Sequence, residues 1–97
     1  LAMADANGVR EALEHQWSRN GSDFATQTED RVRRVTAKAW RFAGELDEIA
    51  ATFEEAGLPD GFAAAAAEVY RRTAHFKDTP TPPPPADILQ SLLPADD

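Results

Sequence analysis

The residues of this chain able to do chemistry are crowded into one stretch: Lys38, Trp40, Arg41, Glu45 and Glu48 all fall between positions 38 and 48. Arg41 and Glu45 stand four apart, a spacing that on an exposed helix makes an ion pair worth a few tenths of a kcal/mol. An Arg and a Lys near one helix start can hold an anionic group, the Arg as a planar fork and the Lys as a point charge. A charged run on a helix reads first as a solvated face. The alternative is that Lys38, Arg41, Glu45 and Glu48 line a cleft formed with another domain. Trp40 reads first as packing and second as substrate contact.

Other chemistries find little support. Gly8, Gly21, Gly44, Gly57 and Gly61 make neither GxGxxG nor a P-loop, so no nucleotide site is encoded. His15 and His75 lack a second ligand at metal spacing and fall on outer helix faces. Ser18, Ser22 and Ser91 sit in no nucleophile motif. Asn20-Gly21-Ser22 matches a glycosylation sequon, but no secretion signal accompanies it. The residues alone therefore predict no catalytic, cofactor-binding or metal-ligating set.

Composition narrows the class. The chain has 97 residues, a net charge of −7 and no cysteine. That is one domain at most, and the proline-rich end leaves only about three-quarters of it to build a core. Without cysteine there is no disulfide and no thiolate metal site, and a cytoplasmic setting is expected. The acidic balance argues against nucleic acid and anionic membranes. No apolar run approaches the ~20 residues that span a bilayer. Residues 1–6 read as the tail of a helix, so the chain is expected to be part of something longer.

The elements that position these residues are helical. Residues 1–7 end at Asn7-Gly8. Val9 to Arg19 reads as a second helix, with Val9, Leu13 and Trp17 inward and Arg10, Glu11, Glu14 and Ser18 outward; Asn20-Gly21 stops it. Ser22 or Asp23 can cap the next. Periodicity permits one helix from Asp23 to Ala56, about 50 Å long, and equally a break near Thr36. The polar first half, with Arg31-Val32-Arg33-Arg34, favours the break. From Lys38 onward, Phe42, Leu46, Ile49, Phe53 and Ala56 form an apolar stripe predicted to face the core. Arg41, Glu45, Glu48 and Thr52 make a polar face. Trp40, Gly44, Asp47 and Ala51 make a thin third face predicted to take a second helix.

Gly57 ends that helix, and Pro59 is expected in the first turn of the next, which runs to about Phe76. Its predicted inner face is Phe62, Ala66, Val69 and Thr73, with Glu68, Arg71, Arg72 and His75 outside. Asp78 to Pro85 reads as extended polyproline, and Asp87 to Leu93 as a short last helix before a fraying end at residues 94–97. No strand pattern appears. The predicted fold is all-α, a bundle of about four to six helices, with a domain over residues 1–78 and a proline-rich segment and short helix over 79–97.

The blocks Gly8-Val9-Arg10, Lys38-Ala39-Trp40-Arg41-Phe42, Glu45-Leu46-Asp47-Glu48-Ile49-Ala50, Gly57-Leu58-Pro59-Asp60-Gly61-Phe62 and Ala65-Ala66-Ala67-Glu68-Val69-Tyr70 carry a resemblance. They are similar to the C-terminal helical domain, classed as DUF1932, of proteins related to 6-phosphogluconate and 3-hydroxyisobutyrate dehydrogenases. The likeness covers most of residues 1–93 and is densest from Lys38 to Arg72. It implies a 6-phosphogluconate dehydrogenase C-terminal-domain-like fold within an NAD(P)-dependent oxidoreductase. Such a parent moves a hydride between NAD or NADP and a hydroxy acid or similar small polar substrate. An upstream Rossmann domain outside this chain holds the cofactor, and the general-acid lysine lies upstream of residue 1. The fragment alone is then not catalytic and takes no cofactor. It supplies part of the substrate cleft and a homodimer interface, with Lys38, Trp40, Arg41, Glu45 and Glu48 the candidates for those faces. Leu46 stands where Met is common in the family, and Ala63 where a polar residue, often His, is expected. The rival expectation is a free-standing helical interaction or dimerisation module, acting by its Trp40 face or proline tail.

Overall fold

A computed structural model describes residues 1–81 and 83–94; the expected fraying end falls largely on residues 95–97, outside the described residues. Six α-helices follow in order: α1 Ala2–Ala6, α2 Arg10–Trp17, α3 Phe24–Thr36, α4 Ala39–Glu55, α5 Gly61–Thr73 and α6 Pro85–Gln90. Short 3₁₀ turns occupy Arg19–Gly21 and Ala74–Phe76, and no strand occurs among the described residues. The all-α expectation holds.

Local chemistry sets the boundaries. Gly8 closes α1 at φ +73°. Asn20 and Gly21, at φ +59° and +75°, turn the chain after α2, both being residues that tolerate the left-handed region. The long helix does break after Thr36: Lys38 leaves helical geometry at φ −108°, ψ 2° before α4 begins. At the end of α4, the N–H of Gly57 donates to the Glu54 carbonyl at 3.0 Å and that of Leu58 to Phe53 at 2.9 Å, while Gly57 sits at φ +74°. These paired bonds are the Schellman stop, which satisfies carbonyls that the helix end would otherwise orphan. Pro59 lies outside α5 rather than in its first turn, because Asp60 is the N-cap and its carbonyl takes the first helical bond, from Ala64, at 2.9 Å. The last helix starts two residues before its expected place, with Pro85 at its first position, and ends sooner, leaving Leu92 and Leu93 in turns.

α4 and α5 form an antiparallel hairpin. Its register is visible in three contacts across it: Trp40 with Lys77, Phe42 with Tyr70, and Asp47 with Arg71. Here the expected inner faces need correction. The buried seam is made of alanines: Ala39, Ala43 and Ala50 on α4, and Ala63 and Ala67 on α5. At about 100° per residue the seam lies roughly 70° from the large apolar stripe on α4 and roughly 110° from it on α5; of the expected α5 face only Thr73 is buried. Ile49 and Phe53 stay 45% and 42% exposed, and Phe62 is 92% exposed. Thin alanine stripes let two backbones approach closely and gain dispersion along their whole length. Residue hydrophobicity favours the stripes of larger side chains and so points to the wrong face.

The other helices form a second packing group. α6 lies against α3 and α1, burying Ile88 and Leu89. Arg72 of α5 ties the groups together, donating to the Leu92 carbonyl at 2.6 Å. Trp17 and Phe24 meet edge to face at 4.9 Å between ring centres where α2 turns into α3. Arg10 and Glu14 were expected to face solvent. Instead Arg10 reaches Asp5 at 2.9 Å, Glu14 at 3.3 Å and Glu29 at 3.5 Å, a half-buried guanidinium joining α1, α2 and α3. Burial and the neighbouring Glu29 carboxylate push Glu14 above the ordinary glutamate range, against the pull of Arg10.

Candidate functional site

The bend between α3 and α4 gathers positive charge. α3 delivers Arg31, Arg33 and Arg34 from its last two turns, and Lys38 caps the start of α4. With Phe42 they line an open depression of about 750 Å³. The amino end of α4 carries no side-chain cap and no acidic residue in its first turn, so its partial positive charge adds to the basic side chains. On the other side of Arg31 an apolar cleft of about 330 Å³ runs between α5 and α3/α6, lined by Val32, Val35, Val69, Tyr70 and Ile88 among others. Arg31 borders both spaces. A small molecule with an anionic end and a short apolar body matches such a pair chemically.

The expected site residues are divided between two faces. Lys38 sits in the basic depression. Arg41 and Glu45 form a loose, exposed pair at 3.8 Å, and the Arg41 guanidinium also lies 5.8 Å from the Phe42 ring centre. Glu45 and Glu48 edge a shallow depression beside Ile49, Thr52 and Phe53. Those four residues lie along one exposed side of the α4 region, and Trp40 does not join them. Trp40 is turned to the other side, 45% exposed, with the Lys77 ammonium 4.1 Å from its ring centre. Among the described residues no second helix packs over the middle of the Trp40–Gly44–Asp47–Ala51 face: Gly44 and Ala51 are exposed and nothing described approaches the position a Cβ of Gly44 would take, while Asp47 at its edge accepts from Arg71 of α5 at 2.9 Å. The hairpin uses its alanine seam, and one seam accounts for the packing of α4 on α5.

Three arginines of the depression, Arg31, Arg33 and Arg34, were not among the expected site residues. A signal for them exists. Positions 31–41 hold five basic residues and no acid, while positions 42–70 hold seven acids and no lysine or arginine. In a chain of net charge −7, that separation marks the bend. Ala63, where a polar residue was expected from the resemblance, is buried in the seam. Its side chain therefore packs and reaches neither depression.

His15 and His75 are both exposed, and no group of three metal-ligating side chains is gathered among the described residues. No helix among them is long and apolar enough to cross a membrane.

The fold and these faces define a small all-helical domain whose polar surface is divided into a basic bend and an acidic hairpin. Residues 4–73 match the family described as Domain of unknown function (DUF1932), and the chain belongs to that family. No curated protein and no solved structure matches the chain.

Proposed function

We propose that this chain is the helical, substrate-facing and subunit-contacting domain of a cytoplasmic NAD(P)-dependent dehydrogenase acting on a small hydroxy acid. Two things support the reading: membership of the DUF1932 family, which resembles the C-terminal part of such enzymes, and the basic bend. The bend is the observation that carries the substrate class. Arg31, Arg33, Arg34 and Lys38 supply fixed positive charge for a carboxylate, and Val35 and Phe42 beside them supply apolar wall.

The described residues do not fit a dinucleotide. Gly8, Gly21 and Gly57 carry positive φ, but each closes a helical segment, and no strand–turn–helix unit exists among the described residues to cradle a pyrophosphate. The cofactor is assigned to a partner Rossmann domain. This chain's own residues then bind and orient the acid and keep water from one side of it.

The test is a nicotinamide-coupled assay of the chain joined to the domain that its reading frame supplies, run over a panel of hydroxy acids. Turnover is expected, with Arg31→Ala raising KM ~10-fold or more at little change in kcat, as for loss of uniform binding. Absence of turnover with every hydroxy acid overturns the reading. The second reading, a helical interaction module without catalysis, draws support from the large apolar side chains left exposed on the hairpin; it is favoured if no nucleotide-binding unit accompanies the chain.

A further inference from the structure

We propose that the acid held at the bend carries a hydrocarbon body, and that this body lies in the cleft between α3, α5 and α6 with Arg31 on the carboxylate. The inference deepens the substrate class of the reading above and rests on it for the chemistry, while binding is tested without it. Two independent features carry it.

The first is the cleft. At about 330 Å³ it is a small-ligand space, near the lower end of the ~300–1,000 Å³ usual for such sites. Val32 and Val35 of α3, Val69 and Tyr70 of α5, Ile88 of α6 and Leu92 after it line the space. Two threonines in its wall, Thr36 and Thr73, are buried, and each hydroxyl donates to a carbonyl of its own helix, Thr36 to Val32 at 2.7 Å and Thr73 to Tyr70 at 3.2 Å. Neither donor is left for a ligand. A sugar acid would set several hydroxyls against this wall without partners, whereas a hydrocarbon gives up no hydrogen bond there. The third wall lies beyond residue 73, where the family match ends. Ile88 and Leu89 seat α6 on α3 and α1, and Arg72 holds the Leu92 carbonyl at 2.6 Å. The cleft is thus shaped in part by residues that the family match does not define.

The second is the charge at its edge. Arg31 and Val35 line both the cleft and the basic depression, so an anion at the bend lies beside the apolar wall. Arg31 is exposed and has no ion-pair partner among the described residues, in a chain with 17 acidic and 10 basic side chains. A guanidinium takes both oxygens of a carboxylate at once. A neutral hydrocarbon leaves that fork unused, and an inorganic anion leaves the apolar wall in water. A hydrocarbon ending in a carboxylate uses both.

The experiment follows the amide shifts of the 97-residue chain by NMR as butanoate, hexanoate, octanoate or gluconate is added. Shifts are expected at Val32, Val35 and Val69, with octanoate bound most tightly and each two-carbon step tightening binding about three- to tenfold. Gluconate, as long as hexanoate but hydroxylated, should bind ~10-fold more weakly than hexanoate. Arg31→Gln should weaken octanoate ~10-fold and leave octanol unchanged. Val69→Trp, at a position 46% exposed, should fill the cleft and abolish octanoate binding while circular dichroism stays helical. Octanoate no tighter than butanoate, gluconate equal to hexanoate, or octanoate still bound by a helical Val69→Trp chain overturns the cleft. The length series needs no variant and decides alone if Val69→Trp loses helicity. Octanoate binding here, with no nicotinamide-coupled turnover of any hydroxy acid by the longer parent, overturns the dehydrogenase reading and leaves the cleft standing. Turnover by that parent with no octanoate binding here does the reverse.

Discussion

Arg71 of α5 donates from one nitrogen to both carboxylate oxygens of Asp47 on α4, at 2.9 and 3.1 Å, and from its Nε to Glu68 at 3.0 Å. The groups are exposed, so solvent screens them and they fix register more than they stabilise. Glu68 is held below the ordinary glutamate range, first by the hydrogen bond from Arg72 and then by that from Arg71. Arg71 is pushed up in turn, first by Asp47 and then by Glu68. A depressed carboxyl contributes stability above its unfolded pKa and loses it as pH falls through the folded value. Denaturant midpoints of the native chain and Glu68→Gln should therefore differ modestly at neutral pH and converge below the ordinary glutamate range. Midpoints that stay equally far apart in acid contradict the assignment.

Glu14 has the opposite sign. Burial, and then the nearby Glu29, raises its pKa, so its favourable contribution is full below the unfolded value and is lost as pH rises through the folded one. Glu14→Gln should leave the chain at least as stable as the native form at neutral pH and nearly identical in acid, where Glu14 is already protonated. Urea titrations at the two pH values test this. A clear loss of stability at neutral pH identifies the Arg10–Glu14 pair as the stronger term.

The alanine seam reverses the usual expectation for core and surface substitutions. Ala67 has no exposed surface, and enlarging it to Leu should cost about 1–3 kcal/mol by overpacking. Phe62 is the larger and more apolar residue, yet Phe62→Ser should change monomer stability by less than about 0.5 kcal/mol, because its ring is already in water. Thermal melts of the two variants suffice. The reverse order would place the seam on the large residues.

The chain alone should not bind NADPH. Titration calorimetry at micromolar protein should give only dilution heats. Saturable binding would overturn the assignment of the cofactor to another domain.

Much of this architecture was legible in the order of residues. Gly8, Asn20-Gly21 and Gly57 mark helix ends because the backbone there takes positive φ, which few residues tolerate. The break after Thr36 was suggested by a change in polarity. The facing of the hairpin was not legible, because periodicity finds an apolar stripe without saying whether a thinner stripe beside it packs more closely. Arg10 and Glu14 were misplaced for a related reason: a single helix pattern cannot show that Asp5 and Glu29, from two other helices, converge on one guanidinium. The arginine bend was visible as charge, but its grouping around Phe42 depends on the turn at Lys38.

The hairpin seam also has a kinetic side. Alanine has no side-chain torsion to freeze, so zipping α4 onto α5 costs backbone entropy almost alone. The two helices are adjacent in the chain and joined by a short connection stopped at Gly57, so little loop-closure entropy is added. Contacts that are local and entropically inexpensive form early. The α4–α5 unit is thus placed to act as the folding nucleus, with α6 docking onto α3 only after the chain has turned through the prolines. In folding φ-value analysis, substitutions at Ala43 and Ala67 should give high values and substitutions at Ile88 and Leu89 low ones; the opposite order in refolding rates contradicts this sequence of events.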